Sequence, residues 1–224
     1  QLGRMLSMAA AQLGYRCHIY APEASGPAAD VSAKWVQGDY GDAAALLDFA
    51  LGVAVVTFEF ENIEPAPLRP LSETRPLYPP LRALEIGQDR IAEKSFATEQ
   101  GGRTAPWAAV NSRADLDAAI ATIGTPAILK TVRFGYDGKG QARLKSADDV
   151  DAAWAAVGGN PSILEGLVRF DHEFSLIVAR DQKGSTSFWD APENVHKDGI
   201  LATSIIPAAS IVRQQVPAAR ALAR

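Results

Sequence analysis

Lys130 closes the apolar run "PAILK" and is followed closely by Gly135, Gly138 and Gly140, with Lys139 between the last two. A lysine at a strand end beside a glycine loop suits phosphate binding. The ammonium supplies charge, and residues without Cβ let backbone N–H groups approach phosphate oxygens. Two common loops are excluded by spacing. A Walker loop needs G-x-x-x-x-G-K-[ST], whereas Lys139 is followed by Gly140. The dinucleotide fingerprint G-x-G-x-x-G opens a helix, whereas "GQARLK" after this loop alternates like a strand. Further along, "EGLV" (Glu165, Gly166, Leu167, Val168) reads as a hinge whose backbone groups could pair with an adenine edge. Glu173 could then accept hydrogen bonds from ribose hydroxyls.

Other reactive side chains carry less. Glu59 and Glu61 lie two apart in an expected strand and would share a face; a strand end leaving the core explains them better than a catalytic pair. Arg90 reads equally as a phosphate ligand and as a solvated helix residue beside Glu93. His18 and His172 have no cysteine or histidine partner at metal spacing and receive no role. Trp107, Trp154 and Trp189 read as packing residues.

The elements that must position these groups follow from periodicity. Leu2, Leu6, Ala9, Ala10 and Leu13 recur at helical spacing, with Gly14 as the stop. "RCHIYA" and "AKWVQGD" read as strands, "DAAALLDFAL" as a helix and "VAVVTF" as a buried strand. Strands alternating with helices predict a parallel, doubly wound sheet. Pro65, Pro67, Pro70, Pro76, Pro79 and Pro80 mark the segment from Glu64 to Pro80 as a linker or domain boundary. Beyond it, "ALEIGQDRIAEKSFATEQG" reads as one helix stopped by Gly101 and Gly102. "SRADLDAAIATIG" and "SADDVDAAWAAVG" read as helices capped by Ser112 and Ser146. "PAILKTV" and "GQARLK" form a hairpin around the glycine loop, and "SILEGLV", "HEFSLIVARD" and "STSFWD" are further strands. Pro217 suits the first turn of a final helix, "PAARALAR", too short to be stable alone. The fold expected is an α/β, Rossmann-like first part and an α+β second part with antiparallel hairpins.

Of the 224 residues 47% are hydrophobic, enough for one large domain or two small ones. The net charge of −4 argues against a general nucleic-acid binder. Cys17 is the single cysteine, so no internal disulfide forms and a reducing, cytoplasmic setting is expected. "FALGVAVVTF" is too short to span a bilayer, so no membrane partner is expected.

The order lysine strand, glycine loop, hinge and ribose acid resembles the ATP-grasp superfamily, in which two α+β lobes hold ATP between antiparallel sheets. The match narrows on "QLGRM", "VVTFEFEN", "QDRIAEKSF", "GYDGKGQ", E-x-x-V-x-F-x-x-E-x-S and EN-x-H-x-x-GIL. Together, and in this order, they are similar to the 5-(carboxyamino)imidazole ribonucleotide synthase family of purine biosynthesis.

That resemblance implies a pre-ATP-grasp domain over 1–80, an ATP-grasp small, lid subdomain over 81–168 and the start of a second subdomain over 169–224. It implies ATP and Mg2+ as cofactors, bicarbonate and aminoimidazole ribonucleotide as substrates, and a homodimer when complete. Arg90 and Lys130 would contact phosphates, Lys130 being the catalytic residue. Gly135, Tyr136, Asp137, Gly138, Lys139, Gly140 and Gln141 would form the lid loop. Glu165 to Val168 would bind adenine, Glu173 ribose, and His196 would complete the pocket. Gln1, Tyr136 and Asp137 would face the acceptor ribonucleotide. Ala54 stands where the pattern has an acidic residue. The family's glycine turn would precede Gln1, and its metal ligands, with the NE-x-x-PR-x-HNSG segment, would follow Arg224. The chain therefore reads as a fragment truncated at both ends, and residues 1–224 alone are expected not to turn over.

Three other functions compete with this one. Another acyl-phosphate ligase, such as glycinamide ribonucleotide synthetase or a formate-using transformylase, fits the superfamily but not "GYDGKGQ" and "TFEFEN". A nicotinamide oxidoreductase lacks a complete G-x-G-x-x-G followed by an acid. A nucleotide-binding module without turnover is the remaining alternative.

Overall fold

The computed structural model describes residues 1–135, 140–197 and 200–224, and the chain divides into two units, Gln1–Ala92 and Glu93–Arg224. The first opens with α1 (Leu2–Gln12). Gly14, at φ +84°, stops it, its N–H donating to Ala11 O while that of Tyr15 donates to Ala10 O. β1 (His18–Ala21) and β2 (Lys34–Gln37) pair in parallel, His18 opposite Lys34, as strand-helix alternation predicts. Asp42 caps α2 (Ala43–Leu51) by accepting from the N–H groups of Ala44 and Ala45.

Three expectations for the stretch between Val53 and Glu99 are corrected first. The segment read as a linker contains α3 (Pro65–Thr74). Pro65 occupies the first turn, where its missing N–H has no intrahelical acceptor. Leu68 and Leu71 are buried and hold the helix despite Pro70. The expected strand "VAVVTF" is reduced to an isolated parallel bridge, Val56 to Leu77. Val56 N–H donates to Pro76 O and accepts through its carbonyl from Tyr78 N–H. Pro76 and Pro79 offer no N–H to lengthen that ladder, and Val55 is 53% exposed. Glu59 and Glu61 accordingly lie outside any strand.

The third correction is that one long helix is two, α4 (Leu81–Gly87) and α5 (Arg90–Glu99). Asp89 breaks it by capping: its Oδ1 accepts from Ile91 N–H at 2.9 Å and Ala92 N–H at 3.0 Å. Leu46, Ala50, Val56, Leu68, Leu71, Leu77 and Leu84 form the first core.

In the second unit β3 (Trp107–Val110), α6 (Arg113–Ile123), β4 (Ala127–Thr131), β5 (Gln141–Leu144), α7 (Val150–Ala156) and β6 (Ser162–Gly166) build an antiparallel sheet ordered β3-β6-β4-β5. Ser112 caps α6, and Ser146 forms a capping box with Asp149 ahead of α7. Val110, Leu129, Leu144 and Leu164 pack with Leu116, Ala119, Val150 and Ala153 of the two helices.

Beyond this sheet lie β7 (Glu173–Phe174), β8 (Val178–Arg180), β9 (Thr186–Phe188), β10 (Glu193–Lys197), β11 (Ile200–Ile205) and α8 (Ser210–Leu222). β10 lies between β7 and β11, while β8 and β9 form their own hairpin. The single strand expected over "HEFSLIVARD" is thus divided between two sheets. Pro217 lies inside α8 instead of opening a helix.

Candidate functional site

Alternation along β4 and β6 separates two faces. Leu129 and Leu164 are paired and point into the core, so Ile128, Lys130, Ile163 and Glu165 point to the opposite face. Ile128 stands opposite Glu165, and Lys130 lies two residues along, on the diagonal. Lys130 Nζ donates to Glu165 Oε2 at 3.0 Å, and Lys94 Nζ from α5 stands 3.5 Å from Oε1. The Glu165 side chain is only 11% exposed, against 17% for Lys94 and 25% for Lys130. A carboxylate this enclosed requires compensating charge, and two ammonium groups supply it. Sequence reading missed Lys94; its place in "QDRIAEKSF" was the available signal.

The base of the glycine loop is cinched beside Lys130. Lys130 pairs with Gln141 across the hairpin, and Thr131 N–H donates to Gly140 O at 2.8 Å. Gly140 has φ +64°, and a Cβ there would come 2.7 Å from Thr131 Oγ1, so only glycine fits. Tyr136, Asp137, Gly138 and Lys139, named above for the lid and the acceptor, lie outside the described residues.

At the hinge, Gly166 N–H donates to Pro106 O at 2.9 Å and Leu167 N–H to Pro126 O at 3.1 Å. Val168 N–H has no such partner among the described residues.

A second pair forms on the smaller sheet. Glu173 lies opposite Asn194, so His196 shares its face, and His196 Nδ1 stands 3.2 Å from Glu173 Oε2. Neighbouring residues brace this sheet. His172 Nδ1 donates to Glu193 Oε1 at 2.6 Å, and Ala209 N–H donates to Oε2 at 3.0 Å. These bonds hold the Glu193 carboxyl below its ordinary value. Asn194 donates to Ser175 Oγ, just past β7, and accepts from Ser204 Oγ on β11. His172, given no role from sequence, thus has a bracing one.

Arg90 opens α5 in the first unit, and Gln1 precedes α1 without a side-chain capping bond. Among the described residues no three His, Cys, Asp or Glu gather as a metal site, and no helix is long and apolar enough to cross a membrane.

Comparison with known proteins gives the family. Residues 95–224 match the ATP-grasp domain, and residues 1–88 match the ribonucleotide synthetase preATP-grasp domain. The chain is 49% identical over its whole length to N5-carboxyaminoimidazole ribonucleotide synthase of Brucella melitensis, spanning 62% of that protein. A crystal structure of the ADP complex of an N5-carboxyaminoimidazole ribonucleotide synthetase superposes on 99% of the chain, using 60% of its own, with TM-score 0.93 and 36% identity. The Aspergillus clavatus synthase, solved with ADP and 5-aminoimidazole ribonucleotide, covers 96% of the chain with 57% of its own, at TM-score 0.84 and 25% identity. The chain therefore spans about three fifths of the proteins it resembles. With an antiparallel sheet carrying a lysine beside a glycine loop, and a family model matching most of its length, the chain belongs to the ATP-grasp family, with a ribonucleotide synthetase preATP-grasp domain ahead of it.

Proposed function

We propose that the protein carrying this chain is an ATP-dependent ligase that carboxylates aminoimidazole ribonucleotide with bicarbonate. The observation that carries this reading is Lys130, aimed from the face of β4 opposite the core, beside the cinched base of the glycine loop and across from hinge strand β6. The names of the similar proteins point to the same substrates. Lys130 would hold the nucleotide phosphates. Val168 N–H would donate to adenine, and Glu173, steadied by His196, would accept from ribose hydroxyls.

Bicarbonate oxygen would attack the terminal phosphorus of ATP, releasing ADP and forming carboxyphosphate. The exocyclic amine of the ribonucleotide would then attack the carboxyl carbon, releasing inorganic phosphate and a proton. Such transfers depend on positioning and charge neutralisation, which a strand-borne lysine and backbone N–H groups supply. Mg2+ belongs to this reading, although the described residues bring no ligand set together.

On the same reading residues 1–80 form the domain that receives the acceptor, with Gln1 near its phosphate. Residues 81–168 form the small subdomain with its lid, and residues 169–224 begin the second. A homodimer in the cytoplasm is part of the proposal. The test is phosphate release by the complete protein. Release should require ATP, bicarbonate and aminoimidazole ribonucleotide together. Turnover with glycine or formate and the matching ribonucleotide amine, indifferent to bicarbonate, would replace this function with the rival ligase.

A further inference from the structure

The carboxylate of Glu165 is shared. One oxygen faces Lys130 on β4 at 3.0 Å, the other Lys94 on α5 at 3.5 Å, and the acid is the most enclosed of the three side chains. If Lys130 serves phosphate, its ammonium must turn toward an anion outside the sheet. Were it the sole partner, that movement would strand a buried carboxylate, which is costly. Lys94 changes the balance, because it is anchored on a different element and need not move with β4.

We propose that Lys94 is a positioning residue for nucleotide binding: it retains Glu165 so that Lys130 is released to the phosphates. This rests on the reading of Lys130 as a phosphate ligand. Glu165 and Lys130 hold one another on the face of the sheet opposite the core. On binding, Lys94 keeps the carboxylate paired, and the phosphates gain the lysine without opposition from an orphaned charge.

The test is ADP binding to the complete protein by titration calorimetry, in a mutant cycle. Lys94→Met should weaken ADP binding roughly tenfold or more in the parent. The same change should have less than about a twofold effect when Glu165→Gln or Lys130→Ala is also present, because no charge is then stranded by binding. Lys94→Arg should stay within about threefold of the parent, since guanidinium also pairs with carboxylate. A Lys94→Met loss of equal size in every background would show a merely structural role and overturn the proposal, as would no loss at all. Should Lys94→Met fail to fold, Lys94→Gln takes its place in the same cycle. It should weaken ADP binding in the parent, and binding as tight as the parent's would overturn the proposal. If Lys130→Ala leaves ADP affinity intact, the phosphate-ligand reading fails and this inference with it. If Lys130→Ala weakens binding while Lys94→Met does not, this inference alone fails.

Discussion

Glu173 and His196 face one another across two antiparallel strands, Oε2 to Nδ1 at 3.2 Å, because Asn194 is the register partner of Glu173. If this acid accepts from ribose hydroxyls, the protein should prefer ATP to 2′-deoxy-ATP, and Glu173→Ala should erase the preference. A hydrogen bond to a charged group is worth about 1.5–3 kcal/mol, so roughly tenfold or more in Kd is expected. Equal discrimination before and after the substitution would remove Glu173 from the ribose site.

Lys130→Ala should lower ATP affinity roughly ten- to a hundredfold through the lost charge-assisted contact. Folding stability should change far less, since Lys94 still pairs with Glu165. Parallel titrations and melting curves check this. A large fall in Tm with intact binding would assign Lys130 to structure alone.

Gly140→Ala should destabilise the loop base. It forces a side chain into the left-handed region at φ +64° and toward Thr131 Oγ1. The backbone term alone costs about 1–2 kcal/mol. Urea denaturation of the complete protein should show that loss, and nucleotide binding should weaken with it. Unchanged stability and binding would mean the hairpin accommodates the methyl group.

Asp89→Ala should cost about 1 kcal/mol by leaving the N–H groups of Ile91 and Ala92 uncapped. Denaturant midpoints compare the two proteins. A loss no greater than that of an exposed alanine substitution elsewhere would show that the cap is dispensable.

Acid should weaken the smaller sheet through Glu193. Its folded-state pKa is depressed below 4.5, first by the bond from His172 and then by the N–H of Ala209. A depressed carboxyl stabilises the fold above its unfolded value, and that contribution disappears as pH falls through the folded value. Melting curves from about pH 6 down to about pH 3 should therefore fall less steeply in Glu193→Gln than in the parent. Parallel slopes would disprove the linkage.

Much of this was legible in the sequence where the physics is local. Ser112, Ser146, Gly14 and Gly124 mark helix ends because their bonds or backbone angles are made within a few residues. The hairpin around the glycine loop was legible from alternation on either side, and the ordered motifs identified the family. Hidden from it were relations that depend on which strands meet. The Lys94–Glu165–Lys130 cluster joins a helix to two strands, and nothing in the spacing of those residues encodes the register that brings Lys130 diagonal to Glu165. "VAVVTF" had the composition of a strand, but its partner carries Pro76 and Pro79, so only Val56 bridges. "HEFSLIVARD" reads as one strand, yet Glu173 pairs with β10 and Val178 with β9. Capping and turn bonds form between near neighbours and are written in residue type. Sheet pairing and charge burial are decided by partners distant in the chain, so only the folded structure determines them.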